Sequence, residues 1–200
     1  MGTDLRSKSI VEAMRFRKGS AAASVGVQSK ALPASFESLF LEHWTRVYRL
    51  VLGLVGDPAE AEDLALEAFW KLYQRYPDPP PGFNTGGWLS RAVTNLGLHS
   101  IRSYKRRERH EQAAGRRNLE DAPENQPAEI QAREEERRLA RMSLARMNSR
   151  QAELLILRYS GLTYREIAQA MGLSPTSIGP LLVRAEREFE KRHRNLLEEA

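Results

Sequence analysis

The chain contains no cysteine, so neither a disulfide framework nor a thiolate-held metal can belong to its architecture. It also lacks long apolar runs. Stretches such as Leu50 to Val55 fall far short of the roughly 20 residues that cross a bilayer, and the first residues hold no continuous apolar segment of signal-peptide type. A cytoplasmic protein without membrane attachment is expected. Histidine is scarce: His43, His99, His110 and His193 stand at no metal-ligand spacing, and neither a phosphate loop nor a dinucleotide fingerprint occurs. No catalytic residue, metal or cofactor is therefore assigned, and an enzyme is not expected. No segment alternates in the manner of a strand.

What is present suits a soluble globular protein of one ordinary or two small domains: 200 residues, 41% hydrophobic and 28% charged. The formal charge of +5 makes an acidic partner plausible, nucleic acid first, if the positive charge is clustered.

Residues 1–35 are rich in Ser, Ala, Gly and Lys/Arg without periodicity and read as a mobile basic tail. From Phe36 the pattern changes. Phe36, Leu39, Phe40, Trp44, Val47, Tyr48, Val51, Leu54 and Val55 recur at three- and four-residue steps, the stripe of an amphipathic helix that stops at Gly56. Asp57, Pro58 and Glu60 supply a cap, a first-turn proline and a capping-box glutamate for a second helix, striped by Ala61, Leu64, Ala65, Ala68, Phe69, Leu72, Tyr73 and Tyr76. Residues 77–87, with three consecutive prolines and three glycines, form a loop.

A third helix follows. Its apolar stripe is Trp88, Leu89, Ala92, Val93, Leu96, Ile101 and Tyr104, and roughly opposite run Arg91, Asn95, Leu98, Arg102, Lys105 and Arg109. Here the positive charge is clustered. Residues 111–139 are polar and broken by two prolines, an interdomain linker in which helix resumes across the charged EIQAREEERRLARMSLARM. The expected architecture is all-α: a helical domain over 36–110, the linker, and a second helical domain over 140–200.

The second domain carries LTYREIAQAMGLSPTSIGPLLVRAERE. Thr163 and Glu166 form a capping box, Gly172 can turn left-handed, and Ser174 can cap the next helix. Ala168, Gly172 and Ile178 occupy the crossing, turn and locking positions of a helix-turn-helix. Pro180 lies inside the second helix, where it removes the bond to the carbonyl of Thr176 and should kink the helix or shift its start. Thr176, Ser177 and Gly179 are the candidate groove contacts, with Arg184 and Arg187 placed for phosphates.

The order of these pieces resembles the two-domain, extracytoplasmic-function sigma factors of bacterial RNA polymerase. FESLFLEHWTRVYRLVLGLVGDPAEAEDLALEAFWKLYQRYP and GGWLSRAVTNLGLHSIRSYKRRER are similar to their second region, and MNSRQAELLILRYSGLTYREIAQAMGLSPTSIGPLLVRAERE to their fourth. The resemblance implies that Asp63, Glu67, Lys71 and Arg75 face the largest polymerase subunit. It implies that the helix from Trp88 melts the promoter and holds one strand through Asn95, Arg102, Lys105, Arg106 and Arg109. A strand so opened is kept by aromatic faces and a cationic track. Trp88 also begins the apolar stripe, so core packing competes with any strand role for it. The helix-turn-helix would take the upstream promoter element, with the preceding helix near the second-largest subunit, and an anti-sigma protein is a further implied partner. Leu66, His99 and Gly179-Pro180-Leu181 stand where the family commonly has Gln, Asp and Lys/Arg.

Two other readings stay open on the residues alone: a conventional helix-turn-helix regulator acting without core polymerase, and an interaction protein that keeps only the polymerase-binding half.

Overall fold

The computed structural model describes residues 34–113 and 128–199, with side chains described over 36–107 and 130–199. Every regular element among the described residues is an α-helix: α1 (Ala34–Val55), α2 (Pro58–Arg75), α3 (Thr85–Ala113), α4 (Ala128–Arg146), α5 (Ser149–Tyr159), α6 (Tyr164–Met171) and α7 (Pro175–Glu199). The expected tail and most of the expected linker lie outside the described residues. None of the described helices is long and apolar enough to cross a membrane.

Helices α1 to α3 pack as a three-helix unit. Gly56 closes α1 at φ 82°, a left-handed value that a side chain would strain. Asp57 then caps α2, its Oδ1 accepting from the backbone N–H of Glu60 at 2.6 Å, with Pro58 in the first turn. The expected reciprocal role of Glu60 is corrected: its carboxylate accepts the hydroxyl of Ser100 on α3 instead. A tertiary donor displaces the local one and ties two helices together. The core of this unit is aromatic and aliphatic, with Phe36, Phe40, Val47, Val51, Phe69, Leu72, Leu89 and Val93 buried. Phe40 and Phe69 meet with ring centroids 4.6 Å apart.

α3 starts two residues before the expected end of the loop. Asn84 makes this possible, because its Oδ1 accepts from the backbone N–H of Gly87 at 2.8 Å. A Cβ at Gly87 would stand 2.5 Å from Asn84 Nδ2, so the cap needs a glycine there.

The turn before the last helix is built as its sequence predicts. Thr163 and Glu166 satisfy each other's backbone N–H groups, and Gly172 ends α6 at φ 64°. Leu173 N–H reaches the carbonyl of Ala168 at 2.8 Å and Gly172 N–H that of Gln169 at 3.4 Å, the paired bonds of a Schellman ending. Leu157, Leu162, Ile167 and Ile178 are fully buried between the helices. α7 begins at Pro175 and runs through Pro180, so the proline does not shift the start of the helix. Ser174, expected to cap it, pairs its hydroxyl with that of Thr176 at 2.8 Å.

The two units are not separate. The C-terminal core includes Leu54 of α1 and Leu98 of α3, with Leu50 and Ile101 packed against it. α3 touches α4, α5 and α6. The apolar stripe expected along the whole of α3 therefore divides: Leu89 and Val93 serve the first core, whereas Ile101 serves the second and Tyr104 is half exposed.

Candidate nucleic-acid interface

The stripe of α3 expected to track a DNA strand lies along the seam between the two units. Arg91 donates from Nε to Glu153 Oε1 at 2.7 Å and from a terminal nitrogen to the Ala170 carbonyl at 2.7 Å. Asn95 donates to the same Glu153 oxygen at 3.3 Å. One helical step on, Leu98 is buried in the C-terminal core. Arg102 then donates to the carbonyls of Ala145 and Met147, at 3.2 and 3.1 Å, and to the Ser149 hydroxyl at 2.6 Å. Burial pushes its guanidinium pKa down from the ordinary value. The ammonium of Lys105 is buried as well.

Glu153 organises the seam. Its side chain is 7% exposed, and a carboxylate held out of water needs charged or polar partners; Arg91 and Asn95 supply them. The seam continues at its edges, where Asn84 donates to Gln169 at 3.2 Å and the Arg141 guanidinium lies over the α1–α2 turn, 3.1 Å from where a Gly56 Cβ would be.

Of the remaining strand candidates, Arg106 is exposed and the side chain of Arg109 lies outside the described residues. Trp88 is partly buried against the first core, its ring edge-on to Tyr76 at 6.4 Å.

Asp63, Glu67, Lys71 and Arg75 are all exposed on α2. Glu67 and Lys71 form an ion pair at 2.9 Å, and Arg75 donates to the Tyr76 hydroxyl at 3.3 Å. A groove of about 940 Å³ between α2 and α3 brings Glu67, Lys71 and Arg75 together with Trp88, Asn95 and His99. Three of the four residues expected to meet protein thus share a cleft with one of those expected to meet the strand, Asn95.

On the helix-turn-helix, Thr176, Arg184 and Arg187 are exposed and Ser177 is half-buried. Gly179 is half-buried: a Cβ there would meet the ring of Tyr164 at an ordinary contact distance of 3.8 Å, and Arg158 stacks on that ring at 5.3 Å. Sequence reasoning missed Arg91 as an anchor, Glu153 as its partner, Asn84 as a cap, and Val183, which is 46% exposed on α7.

Comparison with known proteins follows the same division. Residues 39–107 match the family model described as Sigma-70 region 2, and residues 137–189 that described as Sigma-70, region 4. The chain is similar to the ECF RNA polymerase sigma factor SigE of Mycolicibacterium smegmatis, 32% identical over 147 residues, covering 72% of this chain and 55% of that protein. It is similar to the Xanthomonas campestris pv. campestris protein named "Probable RNA polymerase sigma factor RfaY", 30% identical over 141 residues, covering 70% of this chain and 35% of that protein. The chain thus spans about half the length of the first relative and about a third of the second. Among solved structures it is similar to the sigma factor RpoE from Bartonella quintana, crystallised with the anti-sigma factor NepR, with a TM-score of 0.48, 19% identity, and coverage of 80% of this chain and 96% of that one. Both halves of the chain match in order, the first over the three-helix unit and the second over the helix-turn-helix, and on these grounds the chain belongs to the sigma-70 family, with regions 2 and 4 in the extracytoplasmic-function arrangement.

Proposed function

We propose that this chain acts in the cytoplasm as a sigma factor, directing core RNA polymerase to promoters by binding, without chemistry of its own. In this reading the 36–110 unit docks on the largest subunit through Asp63, Glu67, Lys71 and Arg75. α3 then holds the opened strand through Asn95, Arg102, Lys105, Arg106 and Arg109. The 140–200 unit binds the upstream element, using Thr176, Ser177 and Gly179 with Arg184 and Arg187.

The observation that carries the proposal is the union, on one chain and in family order, of a three-helix unit whose third helix bears a cationic stripe with a helix-turn-helix unit. The seam adds a condition. Arg102 spends its guanidinium donors on Ala145, Met147 and Ser149 of the C-terminal unit, and Asn95, though exposed, donates to Glu153, so a strand can take over the Arg102 contacts only after the two units part, and a polymerase surface gripping both units would supply the force. Run-off transcription with core polymerase from the native cell, with and without this chain, tests the assignment. Specific transcripts that appear only with the chain are expected; their absence from every genomic promoter fragment would refute it.

A further inference from the structure

The buried residues of α7, Ile178, Leu182 and Ala185, lie on one side of the helix. At about 100° per residue, Thr176, Pro180, Val183 and Arg187 project from the opposite side as a single ridge, and all four are exposed. The ridge carries no carboxylate and no amide. The Thr176 hydroxyl is already paired with Ser174 at 2.8 Å, which turns attention to its methyl group. Pro180 has no N–H to offer, and Val183, 46% exposed, presents only carbon. Polar reach comes from Arg187 on the ridge and Arg184 beside it.

A helix-turn-helix unit meets bases with the outward side of its second helix. In the major groove the base feature that an apolar side chain can distinguish is the C5-methyl group of thymine. We propose that Val183 and Pro180, with the Thr176 methyl, read thymine methyl groups in the upstream promoter element, while Arg184 and Arg187 hold its phosphates. This rests on the assignment of the C-terminal unit to that element and specifies its chemistry. The two arginines favour the groove of a duplex as occupant over an apolar protein surface, because cations at the end and along one side of the ridge match the phosphates that border a methyl-bearing floor. Of the other contacts named from sequence, Gly179 has no side chain to offer, and Ser177, half-buried, sits beside the ridge.

The test uses holoenzyme on a duplex promoter identified by transcript mapping, made once with thymidine and once with deoxyuridine throughout the upstream element. Each methyl group met should be worth about fourfold in affinity, so the deoxyuridine duplex should bind correspondingly more weakly. Val183→Ala should bring the ratio of the two affinities toward one. Arg187→Ala should weaken both duplexes alike and preserve the ratio. Equal affinities for the two duplexes, with the upstream footprint intact, would overturn the inference and leave the assignment of the unit standing. A ratio that survives Val183→Ala would overturn it too, since the discrimination would then come from DNA shape. No upstream footprint with the native chain would instead refute the assignment beneath it.

Discussion

Replacing Glu153 by alanine removes the acceptor that Arg91 and Asn95 share across the seam, at 2.7 and 3.3 Å. Hydrogen bonds to charged groups contribute about 1.5–3 kcal/mol each. The Arg91 side chain is 42% exposed, so solvent screening brings its share to the low end of that range. The substitution also relieves the cost of keeping a carboxylate out of water, which leaves a net loss to the closed arrangement on the order of 1–1.5 kcal/mol. That is roughly a tenfold shift toward parted units. Apparent affinity for a ligand scales with the fraction of protein able to bind it. The free chain should therefore bind a labelled single-stranded oligonucleotide of the non-template promoter strand up to about tenfold more tightly as Glu153→Ala, measured by fluorescence anisotropy at low salt. Glu153→Gln, which keeps the volume and one acceptor, should fall between. Because the native chain has no cysteine, a dye pair on two introduced cysteines can report the distance between the units in the same samples. Unchanged affinity and distance in a variant that retains its helical signal would refute the idea that the seam competes with the strand.

Three further outcomes follow from local geometry. Gly172 holds φ 64° with no heavy atom within 4 Å of a would-be Cβ, so Gly172→Ala should cost about 1–2 kcal/mol through backbone strain alone, read as a lower urea midpoint with unchanged slope; an unaffected midpoint would show that α6 can end another way. Burial lowers the pKa of His43, against opposing effects of Glu42 and reinforcing ones of Arg46, and hydrogen bonds from the Thr163 backbone and hydroxyl lower that of Glu166. Both folded-state values are depressed, so each contribution is complete above the group's ordinary pKa and is lost as pH falls toward the folded one; His43→Gln should flatten the stability profile just below neutrality and Glu166→Gln the part in the carboxylate range, and profiles parallel to the native one would contradict these origins. Finally, Glu67→Lys reverses one half of the exposed Glu67–Lys71 pair; because such a pair contributes at most about 1 kcal/mol to folding, the melting point should barely move while affinity for core polymerase in a pull-down titration falls several-fold, and undiminished affinity would remove Glu67 from the docking face.

Much of the local architecture was legible in residue order because its causes are local. Three-and-four spacing marks a buried face wherever it occurs, as in Phe36, Phe40, Val47 and Val51, and caps such as Asp57 or the Thr163–Glu166 pair involve atoms at most three residues apart. The same holds for the helix-turn-helix, whose Ala168, Gly172 and Ile178 serve steric roles within one short stretch. The polar stripe on α3 was visible too, as a line of side chains on one side of a helix.

What covers that stripe was not visible, since periodicity tells that a face is shared and says nothing of its partner. Leu98 was the sign available in sequence: an aliphatic residue in the middle of a polar line, explained once α5 and α6 are docked on it. Glu153 gave no sign at all inside RQAELLILRYS, because the worth of a buried carboxylate depends on Arg91, 62 positions earlier. Glu60 changed roles for the same reason, a partner on another helix outweighing the neighbour in sequence. Pattern along the chain assigned each helix its faces; the free energy of docking, which acts between atoms far apart in the chain, assigned those faces to one another.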